Sequence, residues 1–277
     1  MRKSFKNVSR PMLAGVIREN SKNTAIAAIK NNYFHGATGI DLHLSTLDKQ
    51  SRTLESLKGI IASSPLPVLA LNYNIMYDRS SFVDTEEHRT ELLMRAVKAG
   101  AAAADIQGYT FDLPSKTAFN EDYANCGYSF IKDKPKEVVL DPKVIEKQME
   151  FIEKVHFEGA EVLLSNHFGI PMTGEQLVEL ALFLEKRKPD IIKFVAIADT
   201  EEQMLEAFRA MTLLRDNVET PVSYHCTGKH GGLTRMVNPV LGGFMCFCND
   251  TFVQSSDFNQ PLLETAKTVI ENLQKIK

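Results

Sequence analysis

The chain has little of what would mark it for a membrane, a nucleic acid or a disulfide framework. No apolar run approaches the ~20 residues of a membrane span. Lys and Arg number 32 against 35 Asp and Glu, a net charge of −3. That near-balance leaves no electrostatic footprint for nucleic acid or an anionic surface. Arg2, Lys3 and Lys6 are not followed by an apolar signal core, so a cytoplasmic location is expected. There are only 4 cysteines: Cys126, Cys226, Cys246 and Cys248. Three of them lie in or beside apolar runs, no Cys-x-x-Cys occurs, and a chain of 277 residues needs no covalent staple, so reduced thiols are expected. No repeat, low-complexity stretch or linker divides the chain, and no Gly-x-Gly-x-x-Gly follows its first apolar run.

What the chain does contain is regular alternation. Apolar content is 44% and charged content 24%, those of an ordinary globular protein. Short apolar runs predict strands at 11–17, 39–44, 67–73, 102–107, 161–167, 191–198, 221–226 and 244–248. Amphipathic stretches predict helices at 23–32, 51–62, 85–99, 142–156, 174–186, 201–214, 234–241 and 261–276. Thr173 and Thr200 stand where helix N-caps belong, and Gly100 and Gly159 where helices should stop. Eight strand–helix units in a chain of this length predict a single (β/α)8 barrel domain over residues 1–277. A doubly wound open sheet shares the alternation but lacks its glycine fingerprint here. The stretch 110–141 is too long for an ordinary loop. It carries Tyr123, Tyr128 and Phe130 and reads as an insertion after the fourth strand, serving as a lid or a subunit contact.

Two residues on the apolar runs stand out. Lys193 sits inside Ile191-Ile192-Lys193-Phe194-Val195, and His167 ends Val162-Leu163-Leu164-Ser165-Asn166-His167. Imine chemistry with a ketone needs a neutral amine, and burial disfavours an ammonium. A histidine ending the preceding strand could move the protons of such a reaction. Against this, a lysine can snorkel from a strand end and a histidine can serve the core. Barrel sites lie at the C-terminal ends of the strands. Asp41 and His43 share one face of strand two, Asn72 and Asn74 end strand three with Asp78 and Arg79 following, Gln107 ends strand four, and His225 lies near the end of strand seven. Cys226, Cys246, Cys248 and His225 admit a metal reading, but buried small residues in adjacent strands explain them equally well, and no metal is expected. The Gly228-Lys229-His230-Gly231-Gly232 loop reads as an anion cradle or, preferably, a loop closing over a carboxylate.

In this arrangement the sequence resembles type I 3-dehydroquinate dehydratases. That family carries Ser-Asn-His ending strand five and a Schiff-base lysine on strand six, matched by His167 and Lys193. Arg235, within Gly231-Gly232-Leu233-Thr234-Arg235, matches the family's carboxylate-binding arginine. Ser256 and Gln260 match its serine and glutamine, four apart after strand eight. The first half departs from the pattern. Asp41 and His43 replace a glutamate and an arginine on strand two. Asn72 aligns with an arginine ending strand three. Met76 aligns with the glutamate that hydrogen-bonds the catalytic histidine, leaving Asp78 as the nearest acid.

The resemblance implies a cytoplasmic hydro-lyase of aromatic amino-acid biosynthesis, the shikimate pathway, converting 3-dehydroquinate to 3-dehydroshikimate. Lys193 and His167 would be catalytic, with Arg235, Gln260, Ser256, Asp41, His43, Asn72 and Asp78 binding substrate. It implies no metal or organic cofactor, a small carboxylated hydroxy ketone as the partner, and a homodimer. Two alternatives stand beside it: a lysine-imine lyase or aldolase acting on another hydroxy-keto acid, and an inactive barrel that only binds a carboxylate.

Overall fold

The computed structural model describes residues 2–73, 85–116, 135–252 and 259–276. Asn74, Met76, Asp78, Arg79, Cys126, Ser256 and the aromatics at 123, 128 and 130 lie outside them. Eight strands form one parallel sheet: β1 (Met12–Ile17), β2 (Gly39–His43), β3 (Val68–Leu71), β4 (Ala103–Gln107), β5 (Glu161–His167), β6 (Ile191–Ile197), β7 (Val222–Thr227) and β8 (Met245–Cys248). Their order is β7-β6-β5-β4-β3-β2-β1-β8. Eight helices alternate with them: α1 (Lys22–Phe34), α2 (Leu54–Ala62), α3 (Glu86–Lys98), α4 (Pro142–Phe157), α5 (Gly174–Glu185), α6 (Glu201–Asn217), α7 (Thr234–Leu241) and α8 (Leu263–Gln274). This is a (β/α)8 barrel, as the alternation predicts. Among the described residues, no helix is long and apolar enough to cross a membrane.

Local chemistry sets the boundaries. Ser21, Thr173 and Thr200 each cap a helix through reciprocal bonds with Thr24, Gln176 and Gln203. Helix α2 starts at Leu54 rather than residue 51, because Thr53 turns its side chain back onto Ser56 N. Helices α3 and α4 are followed by Gly100 (φ 110°) and Gly159 (φ 76°), a left-handed backbone that a side chain would strain. Strand β3 ends at Leu71, two residues earlier than expected. There the Asn72 amide donates to Arg89 O on α3 (3.1 Å), and Arg89 Nη1 donates to Asn72 O (3.1 Å).

Contacts group the chain into two compact units. The first comprises Met1–Asp105, Val155–Val162 and Met245–Lys277 and holds β1, β2, β3 and β8. Its core includes Ile40, Leu42, Leu57, Ile60, Leu93 and Ile270, all buried. The second comprises Ile106–Lys154 and Leu163–Phe244 and holds β6, β7, most of β5 and helices α5 to α7. Leu163, Leu164, Phe168, Leu180, Ile192 and Phe194 are buried there, with the Phe168 and Phe194 rings 5.2 Å apart. Each such side chain contributes roughly 1.5–3 kcal/mol by leaving water.

Candidate active site

In the second unit, strand register builds the site in two rows. Residues paired across parallel strands point to the same face. Lys193 pairs with Ser165 on β5 and with Ser223 on β7. Val195 pairs with His167 on β5 and with His225 on β7. The lower row is therefore Ser165–Lys193–Ser223 and the upper row His167–Val195–His225. Lys193 is the middle member of its row, buried, with fully buried serines on either side. The backbones of His167 and His225, two strands apart, are set roughly 9–10 Å from each other by ordinary strand spacing.

His167 is held by Glu137. One carboxylate oxygen, Oε2, accepts from both His167 N and His167 Nδ1, each at 2.9 Å. In the neutral ring this keeps the proton on Nδ1 and the lone pair on Nε2. The carboxylate is buried and has a firm mount. Glu137 N donates to Ser115 O (2.8 Å), and Asn166 Nδ2 donates to Glu137 O (2.7 Å). Asn166 and His167 thus grip the backbone and the side chain of the same glutamate. Glu137 adopts φ 63°, uncommon for a residue with a side chain. Gly108 leaves the needed space: a Cβ there would lie 2.0 Å from Asn166 Nδ2 and 2.1 Å from Glu137 O. Beneath this, buried Gln148 on α4 donates to Gly108 O and Thr110 O (2.8 and 2.7 Å). Buried Arg187 in turn bridges Gln148 Oε1 and Val139 O (2.6 and 2.8 Å).

Arg235 enters from the start of α7 and is buried. Thr234 fixes that start by accepting from Cys226 N (2.8 Å) and donating to Gly231 O (2.6 Å), while Asn238 Nδ2 donates to Tyr224 O (3.0 Å). Buried His225 lies within electrostatic range of Arg235, Lys193 and His167. Burial first, and then the nearby Arg235, Lys193 and His167, hold its pKa well below the ordinary histidine value. Cys226 points to the other face of β7, in contact with the Tyr224 hydroxyl (3.4 Å), and burial pushes its thiol up to about 11. Cys226, Cys246 and Cys248 are free thiols. Among the described residues no three His, Cys, Asp or Glu side chains gather as a metal site.

The first unit holds the remaining expected residues. Asp41 Oδ2 and His43 Nε2 are 3.4 Å apart and both side chains are buried. Asp41 Oδ1 is buried with no hydrogen-bond partner among the described residues. Asn72 does not join them. Asp41 and His43 pair with Leu69 and Leu71, so Asn72 falls on the opposite face, where Arg89 engages it. The residue on their face is Tyr73, whose ring packs edge-on against His43 at 6.1 Å. Tyr73, rather than Asn72, therefore stands where an inward-facing residue would end strand three. Gln260 accepts from Arg18 Nη2 (3.4 Å), a guanidinium just past β1 that sequence reading did not single out. Ser256 and Asp78 fall outside the described residues.

A family model for type I 3-dehydroquinase matches residues 40–277. The chain belongs to the type I 3-dehydroquinase family. Among solved structures it is similar to the type I 3-dehydroquinate dehydratase of Clostridium difficile, solved with covalently modified comenic acid, at 16% identity and TM-score 0.76, covering 100% of this chain and 99% of that one. The 3-dehydroquinate dehydratase of Geobacillus kaustophilus matches at 14% identity and TM-score 0.75, covering 99% and 97%. The carboxyl transferase domain of Rhizobium etli pyruvate carboxylase matches at 13% and 0.61, covering 99% of this chain and 45% of that one. At these identities the likeness is one of fold. No curated protein sequence matches the chain.

Within the family, Glu137 is what sequence reading missed. The alignment points to an acid near residues 76–78, on the strand-three loop, whereas Glu137 arrives from the far end of the stretch after β4. The available signal was the pair Asn166-His167 itself: an amide and an imidazole side by side can hold one residue at two points.

Proposed function

We propose that the protein is a Schiff-base-forming dehydratase that converts 3-dehydroquinate to 3-dehydroshikimate. The observation carrying this is Lys193 buried one row below His167, whose ring is oriented by Glu137. Lys193 attacks the substrate ketone and forms an imine with loss of water. The protonated imine draws electrons from the neighbouring C–H bond. His167 Nε2 takes that proton as general base, then delivers it to the departing hydroxyl, which leaves as water. Water hydrolyses the product imine and frees Lys193. Arg235 binds the substrate carboxylate through a planar two-point contact. Roles for Gln260, Ser256, Asp41 and His43 in binding the rest of the substrate are proposed on the family resemblance, as are the shikimate-pathway assignment, the cytoplasmic location and the homodimer.

Incubation with 3-dehydroquinate and borohydride should add the ligand mass to Lys193, and without borohydride the enone absorbance of the product should rise over pH 6 to 9. Absence of both rejects the reading. A specific observation favours a second one: the buried Asp41–His43 pair, with Tyr73 beside it, replaces a glutamate and two arginines. That change suits a lysine-imine lyase for another hydroxy-keto acid. An adduct with 3-dehydroquinate but no absorbance rise, together with turnover elsewhere in a panel of hydroxy-keto acids, selects it.

Two variants test the supporting residues. Glu137→Gln should lower kcat while leaving imine trapping intact, because a neutral amide oxygen holds the two N–H donors of His167 more weakly than a carboxylate and gives no charge to balance the ring when it takes up a proton. Loss of a charged hydrogen bond of about 1.5–3 kcal/mol corresponds to roughly 10- to 150-fold. An unchanged kcat would remove Glu137 from the mechanism. Arg235→Ala should weaken binding of carboxylated ligands by roughly 2–5 kcal/mol, as for a desolvated charge pair losing one partner. Calorimetric titration with an unreactive carboxylate analogue measures it, and unchanged affinity excludes Arg235 from the site.

A further inference from the structure

We propose that His225 is a substrate-contacting residue of this site, its imidazole hydrogen-bonding an oxygen substituent on the side of the ketone away from His167. This rests on the imine reading above and narrows its substrate to ketones flanked by hydroxyl on that second side. The register places His225 opposite His167 in one row, with Val195 between them and Lys193 one row below. A ketone carbon bonded to Lys193 then has one neighbouring carbon toward β5, where His167 acts. Its other neighbouring carbon lies toward β7, where His225 stands and Arg235 enters.

The two imidazoles have opposite surroundings. His167 faces the Glu137 carboxylate. His225 is buried, and that burial first, with the Arg235 guanidinium next, lowers its pKa and so favours the uncharged ring. An uncharged imidazole presents either an N–H donor or an acceptor nitrogen to a neighbouring group, and a hydroxyl can answer either one. It adds no positive charge beside an amine that must be neutral to attack. A histidine serving only the core would fit the helix-facing side of β7, where Tyr224 and Cys226 pack. His225 instead takes the face that carries the lysine.

The test uses the full chain with 3-dehydroquinate and with an analogue lacking the hydroxyl next to the ketone. His225→Leu keeps the volume and removes both ring nitrogens; His225→Gln keeps a donor and an acceptor. For 3-dehydroquinate, His225→Leu should raise KM by at least about tenfold with kcat within about threefold, the pattern of a lost binding contact. His225→Gln should recover most of that loss. With the analogue, the parent protein should already show the raised KM, and His225→Leu should add nothing. If His225→Leu does not fold, the parent's comparison of the two substrates decides. Equal KM for both substrates in the parent, or an unchanged KM in folded His225→Leu, overturns the role of His225 while the imine reading stands. No borohydride adduct in the parent overturns both.

Discussion

Lys193→Met should abolish turnover and leave the fold in place. Methionine matches the length of the lysine stem and removes only the amine, so the row between Ser165 and Ser223 stays filled. Burying an ammonium is costly, and an apolar thioether at the same point removes that cost, so thermal stability should be equal or higher. The reaction loses its covalent intermediate altogether. For a nucleophile acting in a concerted constellation, the loss is on the order of 10³–10⁶-fold in kcat. Rate measurements with 3-dehydroquinate and borohydride labelling read the two consequences independently. Residual activity within tenfold of the parent, in a protein with an unchanged melting temperature, would show that the chemistry does not pass through this amine.

His167→Ala should separate the two halves of the reaction. Lys193 remains, so the imine can form; the group that removes and returns the proton is gone. The expected loss is about 10²–10⁴-fold in turnover, with adduct accumulating rather than disappearing. Mass spectrometry after borohydride should therefore find more labelled Lys193 at steady state than in the parent. Because His167 is partly exposed while Glu137 is buried, the substitution leaves an interior carboxylate without its ring partner. A moderate fall in melting temperature should accompany the kinetic effect. A folded variant that forms no adduct would assign His167 to building the ligand site instead of moving protons.

Much of this architecture was legible because barrel strands announce themselves locally. Apolar runs of four to eight residues, Thr173 and Thr200 at helix starts, and Gly100 and Gly159 at helix ends depend on neighbours in the chain. All of them stand within a few residues of their expected places. Lys193 was legible for the same reason: one cation among apolar neighbours is visible without any fold. Residues whose role depends on partners distant in sequence were not. Glu137 lies 30 positions from His167, and its relation to that ring depends on a turn at φ 63° and on the space left by Gly108. The shift from Asn72 to Tyr73 has another origin. Strand faces alternate at every residue, so an alignment displaced by one position exchanges an inward side chain for an outward one. Only the pairing of His43 with Leu71 fixes that parity.

The left-handed backbone at Glu137 carries an evolutionary consequence. Glycine adopts this conformation without strain, and asparagine is enriched in it, whereas a glutamate there is held against a cost of order 1–3 kcal/mol. Selection for heat tolerance alone would accordingly favour Glu137→Gly or Glu137→Asn, and each exchange would discard the carboxylate that orients His167. A glutamate persisting at position 137 through thermal selection would mean that activity, and not robustness, is what holds it there.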